Sequence, residues 1–346
     1  MSVEPEIIFD LRDGIAEVTL NRPQALNALT LNMVRILDSQ LAAWETDDAV
    51  CVVVVRGAGD KAFCAGGDIQ KLYDGGPKSL ITQEFFREEY RLNWRIHNYP
   101  KPYIAIMDGI TMGGGVGLSV HASTRIAADN TIFAMPETGI GLFPDVGGSW
   151  FLPRLPGELG MYMAMTGARL KSADCVYAKI CDAYMPSDRH DEFVAALRAG
   201  KGIENVLACF SVAPGEAALA EIRDAIDLCF SGRSVEEIVM ALEADGSEWS
   251  TKQLGIMAGK SPTSQKVAYR QLRAGAALDF EGCMVMEYRM SQAFMEGGDT
   301  FEGIRAVVVD KDMSPKWSPA SLSDLSDADV ARYFISLGER DLTFPD

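Results

Sequence analysis

The stretch Val50-Cys-Val-Val-Val-Val55 constrains the fold more than any other part of the chain. Successive side chains of a strand point to opposite faces, so a strand apolar at every position must be covered on both. That requirement calls for a parallel sheet with helices packed on it, and the neighbouring patterns supply both. Ile15–Leu20 alternates apolar and polar, as a strand does, and Asn21-Arg22-Pro23 stops it. Residues 25–44 place Leu26, Leu29, Met33, Ile36, Leu37 and Leu41 near a 3.6-residue period, which predicts a helix. A second helix is predicted at about 79–98, a strand at Tyr103–Met107, a glycine-rich bend at 113–117 running into helix, and short strands near 124–128 and 131–135. Alternating strand and helix defines an α/β architecture. From about residue 157 nearly every segment reads as helix, and a strand signal returns only at Ala306–Val309. We therefore expect a core over residues 1–185 and a helical region over 186–346 packed on it.

Composition excludes several classes of function. With 49 acidic and 32 basic side chains, net −17, the surface repels phosphate backbones, so nucleic acid is not an expected partner. A membrane span needs about 20 apolar residues and none is present. The N-terminal sequence MSVEPEIIFD matches neither a signal nor a transit peptide, and seven cysteines show no regular spacing. These features predict reduced thiols in the cytoplasm. Histidines 97, 121 and 190 are scattered, so no metal site is expected. The chain has no GxSxG elbow and no phosphate loop, and Leu118 interrupts a GxGxxG pattern. Cys64 reads as a small buried thiol rather than a nucleophile.

Two glycine bends follow core strands: Lys61-Ala-Phe-Cys-Ala-Gly-Gly67 and Gly109-Ile-Thr-Met-Gly-Gly114-Gly-Val-Gly117. Without side chains, backbone N–H groups there can face a ligand, and at a helix start they lack intrahelical partners. Two such donors on one oxygen form an oxyanion hole, worth about 2.7–4 kcal/mol per donor in a transition state. The same glycines also suit close helix–strand packing, and the sequence leaves both readings open. Beyond them, Glu137 and Asp145 sit in an apolar, Gly/Pro-rich segment, where a carboxylate gains a raised pKa and becomes a candidate base or nucleophile. Equally, Asp145 suits an N-cap before Val146 and Glu137 a solvated loop. Glu89 shares a helical stripe with Phe85, Leu92 and Ile96, so it is either paired in the core or lines a site.

Together these strings resemble the enoyl-CoA hydratase/isomerase (crotonase) superfamily: Asn21-Arg-Pro with Asn27-Ala-Leu, Ala62-Phe-Cys-Ala-Gly-Gly-Asp68, Gly113-Gly-Gly115 and Pro136-Glu137. Phe86-Arg-Glu-Glu-Tyr90, Gly141-Leu-Phe-Pro-Asp-Val-Gly-Gly148, Ser261-Pro-Thr-Ser264 and Pro315-Lys-Trp317 are similar to its thioester-hydrolase branch. The resemblance spans about residues 14–335 and is weakest over 185–260. It implies a spiral of β-β-α turns forming an acyl-CoA-binding core, oxyanion donors at the Gly67 and Gly114 amides, catalytic roles at Glu137 and Asp145, and substrate contacts at Glu89 and Gly114. One of the two glutamates used by hydratases falls on Glu137; the other falls on Gly117, which has no side chain. Asp145 stands where hydratases usually carry glycine.

The implied reaction is hydrolysis of a short β-hydroxyacyl-CoA, with 3-hydroxyisobutyryl-CoA of valine breakdown the expected substrate. Coenzyme A enters as part of that substrate, and no other cofactor is implied. A homo-oligomer is expected on the same grounds. Arg22, Lys61, Lys71, Lys311 and Lys316 are candidates for the CoA phosphates, although each suits a solvated surface as well. The competing functions are an enoyl-CoA hydratase or isomerase and a non-catalytic acyl-CoA-binding protein.

Overall fold

A computed structural model describes residues 4–345. Its strands are β1 (Ile7–Arg12), β2 (Ile15–Leu20), β3 (Val52–Gly57), β4 (Ala62–Cys64), β5 (Tyr103–Met107), β6 (Ile110–Met112), β7 (Thr124–Ala127), β8 (Ile132–Ala134) and β9 (Ala183–Tyr184). Six form one sheet in the order β1-β2-β3-β5-β7-β9, and β4-β6-β8 form a smaller one. Only β1–β2 is antiparallel in the larger sheet; β2, β3, β5, β7 and β9 pair in parallel. The all-apolar stretch is β3, at its centre, and Val52 to Val55 are buried. The α/β expectation holds.

The chain groups into two compact units whose segments alternate in sequence. The first comprises residues 1–67, 91–133 and 169–220; the second comprises 68–90, 134–168 and 221–346. A boundary near 185 falls inside the first unit, for a reason visible in its core. Phe193, Val194, Leu197 and Val206 pack with Ile15, Val52, Val54, Ile104, Ile106 and Ile126 of the large sheet. Those aromatic and aliphatic side chains belong to helices His190–Arg198 and Ile203–Phe210, so the start of the helical half completes the sheet's cover. The latter helix, β1, β4 and β9 were not anticipated.

In the first unit, Thr30 starts helix Leu31–Glu45 by accepting the Met33 N–H at 3.1 Å. The chain before it, predicted as helix from 25, forms a turn instead. Asn27 is fully buried there; its amide donates to Ala58 O (2.9 Å) and Ala62 O (2.8 Å), and its oxygen accepts the Arg22 N–H (2.9 Å). These side-chain bonds replace helical ones.

In the second unit, aromatic pairs such as Phe143–Phe294 (5.5 Å between centroids) and Tyr162–Phe230 (5.3 Å) join segments distant in sequence. The strand expected at Ala306–Val309 is a π-helical turn, Arg305–Val309, continuing helix Asp299–Ile304. Arg305 bonds Glu302, Asp310 and Asp312 there, a local network consistent with the turn over the β propensity of three valines. Among the described residues no helix is long and apolar enough to cross a membrane, and no cluster of three or more His, Cys, Asp or Glu could hold a metal ion. None of the seven cysteines is in a disulfide.

Candidate active site

The two glycine bends meet in the first unit. A Cβ built on Gly66 (φ +113°) would lie 3.4 Å from Met112 O and 3.9 Å from Gly114 N. Gly67 follows in the first bend, held beside Leu29 by a β-bridge, while the Leu29 N–H donates to Gly66 O and the Ala65 N–H to Leu26 O. The Asn21–Leu29 segment therefore acts as a buttress: Asn27 fixes its shape, and its main chain fixes the bend. Gly114 opens the one-turn helix Gly114–Gly117, so its N–H has no intrahelical partner. The packing role of the glycines is real as well. A Cβ on Gly115 would meet Cys64 O at 2.1 Å, so only glycine lets this helix lie against the end of β4.

The acids gather in the second unit. Glu89, Glu137 and Asp145 are 2%, 4% and 5% exposed, so Glu137 is not a solvated loop residue. Glu89 lies on helix Leu80–His97, whose stripe of Phe85, Leu92 and Ile96 is buried as predicted. Glu137 begins a 3-10 turn, Glu137–Ile140. Asp145 does not cap a helix with its side chain. The next helix, Gly148–Phe151, starts after Gly147, and the Asp145 carboxylate instead accepts the Tyr90 hydroxyl at 2.9 Å. Glu89 Oε1 and Glu137 Oε2 have no hydrogen-bond partner among the described residues. Buried polar atoms normally find partners, so oxygens of this kind call for an explanation, and a bound substrate or water supplies one.

Two residues of this cluster escaped the sequence reading in their roles. Tyr90 was noted only within a motif. Glu287, fully buried on helix Phe280–Phe294, accepts the N–H groups of Gly147 and Ser149, both at 2.8 Å, and the Ser149 hydroxyl at 2.5 Å. Its signal was available. Buried Cys283, Met284, Met290, Ser291 and Phe294 flank it at helical spacings, the pattern that singled out Glu89.

Burial dominates the electrostatics. It pushes Glu89 and Glu137 well above the ordinary carboxylate range, and the charge of Asp145 adds to both. Opposing contributions at Glu137 come from its own backbone N–H and the Lys260 ammonium. Asp145 is pushed up to about 7, less than burial alone would give, because the Tyr90 hydroxyl and its own backbone stabilise the charged form. Glu287 rises to about 8 through burial, against its bonds from Ser149 and Gly147. Four buried acids so placed cannot all be ionised at neutral pH, so the cluster holds exchangeable protons near physiological pH. A carboxyl titrating near the working pH suits proton transfer or nucleophilic attack.

The candidate phosphate-binding cations are less concentrated. Arg22 bonds Ala28 O (2.5 Å) and Glu6 (3.4 Å), Lys71 reaches Asp68 at 4.0 Å, and Lys61, Lys311 and Lys316 are exposed.

The chain belongs to the enoyl-CoA hydratase/isomerase family, whose model matches residues 15–334. Over 97% of its length it is 47% identical to 3-hydroxyisobutyryl-CoA hydrolase, mitochondrial, of Danio rerio, covering 91% of that protein. The Homo sapiens protein of the same name is 45% identical over 98% of this chain and 91% of its own length. Among solved structures, a carnitinyl-CoA dehydratase from Mycobacterium thermoresistibile superposes with a TM-score of 0.94 at 41% identity, covering 99% of both chains. An enoyl-CoA hydratase from Rhodobacter sphaeroides 2.4.1 gives 0.92 at 37%, covering 98% of this chain and 100% of its own. The expected cytoplasmic location is overturned, since these curated relatives are named as mitochondrial. Cysteines outside disulfides are compatible with a reducing environment without saying which one, and that is where the inference overreached.

Proposed function

We propose that this chain is a thioesterase that hydrolyses 3-hydroxyisobutyryl-CoA to 3-hydroxyisobutyrate and coenzyme A, a step of valine catabolism. The observation that carries the reading is the buried acid cluster: Glu137 and Asp145, with Glu89 and Tyr90, gathered in one unit. The mechanism requires the Gly67 and Gly114 amides and these acids to act on one bound thioester. The amides bind the carbonyl oxygen and stabilise the negative charge that develops on it. Glu137 either attacks the carbonyl carbon, giving an acyl-enzyme anhydride that water then opens, or takes a proton from the attacking water. In both routes the C–S bond breaks and coenzyme A leaves as a thiolate. Because thiols have a pKa of about 8.5, departure needs little acid assistance, which suits a chemistry without histidine. Asp145 orients Glu137, the water or the substrate hydroxyl, and Glu89 contacts that hydroxyl. No cofactor enters these steps. A homo-oligomer, measurable by light scattering, is part of the same reading.

The hydratase reading is favoured by the names of the two superposed structures. It meets a specific difficulty at Gly117, since a hydratase needs acid–base groups for both ends of its double bond. Thiol release and double-bond absorbance, followed in parallel on 3-hydroxyisobutyryl-CoA and crotonyl-CoA, separate the two. We expect rapid thiol release from the first substrate and no hydration of the second. Hydration of crotonyl-CoA without thiol release would overturn the proposal. A panel including 3-hydroxypropionyl-CoA tests selectivity, for which one methyl group is worth about 1–3 kcal/mol.

A further inference from the structure

We infer that Glu287 is a positioning residue for Asp145, acting through the strained turn at residues 144–149. This inference rests on the thioesterase reading above. The turn is not self-supporting. Val146 has φ +51°, a conformation that β-branched residues rarely adopt, and it lies 1% exposed between Asp145 and Gly147 (φ +90°). Such a backbone persists only where its surroundings over-determine it. Here one carboxylate does most of that work. Glu287 receives the Gly147 N–H immediately after the strained residue, then the N–H and hydroxyl of Ser149. Gln271 braces the other side, donating to Pro144 O at 2.5 Å and Ser149 Oγ at 3.0 Å.

Both ends of the turn are thereby pinned, and Asp145 is delivered to the Tyr90 hydroxyl. The Gly147 and Ser149 amides open the short helix that follows Asp145, so the placement usual for a local N-cap is filled from 140 residues away in sequence. Asp145 itself is left available for other partners. The titratable groups coupled to this arrangement are Tyr90 and Glu89 from helix Leu80–His97, Glu137 from its 3-10 turn, Glu287 and Cys283 from helix Phe280–Phe294, and the Lys260 ammonium opposite Glu137. Replacing Glu287 with glutamine keeps its size, removes its charge and leaves one acceptor oxygen instead of two.

The test compares wild type with Glu287→Gln. It reads kcat and KM for thiol release from 3-hydroxyisobutyryl-CoA, together with the titration of Asp145 by 13C NMR of labelled carboxyls, assigned with Asp145→Asn. We expect kcat to fall roughly ten- to hundredfold, as for a slight misplacement of a reacting group, while KM changes less than about threefold. We expect the Asp145 midpoint to move to higher pH, because a loosened turn weakens the Tyr90 hydroxyl bond that stabilises the charged carboxylate. A folded variant with unchanged kcat overturns the proposal. So does a lowered kcat with an unmoved midpoint, which would assign Glu287 to helix capping alone. Should Glu287→Gln fail to fold, Ser149→Ala keeps the charge and removes one donor. A several-fold loss of kcat is then expected, and wild-type kcat would overturn the proposal. If wild type releases no thiol, the thioesterase reading fails, and the Asp145 midpoint alone still judges Glu287.

Discussion

The glycine bends of the first unit and the acid cluster of the second reach a reactive environment by opposite means. The bends use main-chain amides, which every residue but proline carries, so the sequence needs only to delete side chains. Gly66 and Gly115 show how tightly: one backbone has a positive φ, and the other has a carbonyl 2.1 Å from where a Cβ would sit. The acid cluster must instead assemble side chains and keep them in a place that disfavours their charge. It draws Glu89 and Tyr90 from one helix, Glu137 from a 3-10 turn, Asp145 from a strained loop and Glu287 from a helix far along the chain. Donors fixed by covalent geometry cost little to hold. Acids need partners, and the partners need their own support.

The first prediction attacks the acid side. Glu137→Gln should lower kcat for thiol release by about 10²–10⁴-fold, the usual worth of a general base, with little change in KM. A smaller loss is expected on the amide side. Gly114→Pro deletes one N–H at the first helical position and should lower kcat by about 10²–10³-fold, read on a variant shown to be folded by its melting transition. If the proline variant is fully active, the bends serve packing alone and the contrast between the regions fails.

Asp145→Asn comes next, at roughly ten- to hundredfold in kcat. In the wild type kcat should rise as pH passes about 7, where Asp145 loses its proton, and that limb should be absent from the variant. A last effect is on stability. Asp145 and Glu287 titrate near 7 and 8 in the folded chain, against about 3.9 and 4.3 for free side chains. Below about pH 4 both states are protonated and the contribution is complete. It is lost as pH rises through 7 and 8, because the unfolded chain then ionises more readily. Tm should therefore fall between pH 5 and pH 8.5, and the Asp145→Asn, Glu287→Gln double variant should flatten that fall.

The same contrast explains what the sequence made legible. A strand apolar at every position and two glycine bends are local patterns with few physical causes, so the α/β core and the bends were readable. Glu89 was readable because an acid on an apolar helical stripe is anomalous. Asp145 could not be separated from a helix cap, because its hydroxyl partner lies 55 residues away and the real cap 140 residues from Gly147. Glu287 carried the Glu89 pattern, but its meaning depended on a turn 140 residues earlier. Asn27 was quoted as part of a motif, while its work as a buttress became visible only once its bonds to Ala58 and Ala62 were seen. The Ala306–Val309 strand was misread because the β-branched pattern was weighed without the ion-pair network of Arg305.

The most direct test of the account follows water's oxygen through a single turnover in ¹⁸O-labelled water. Hydrolysis places the label at the carbonyl carbon of released 3-hydroxyisobutyrate, or in the Glu137 carboxylate if an anhydride forms, with one free thiol per turnover. Label found on the β-carbon of a product still esterified to coenzyme A would contradict the account.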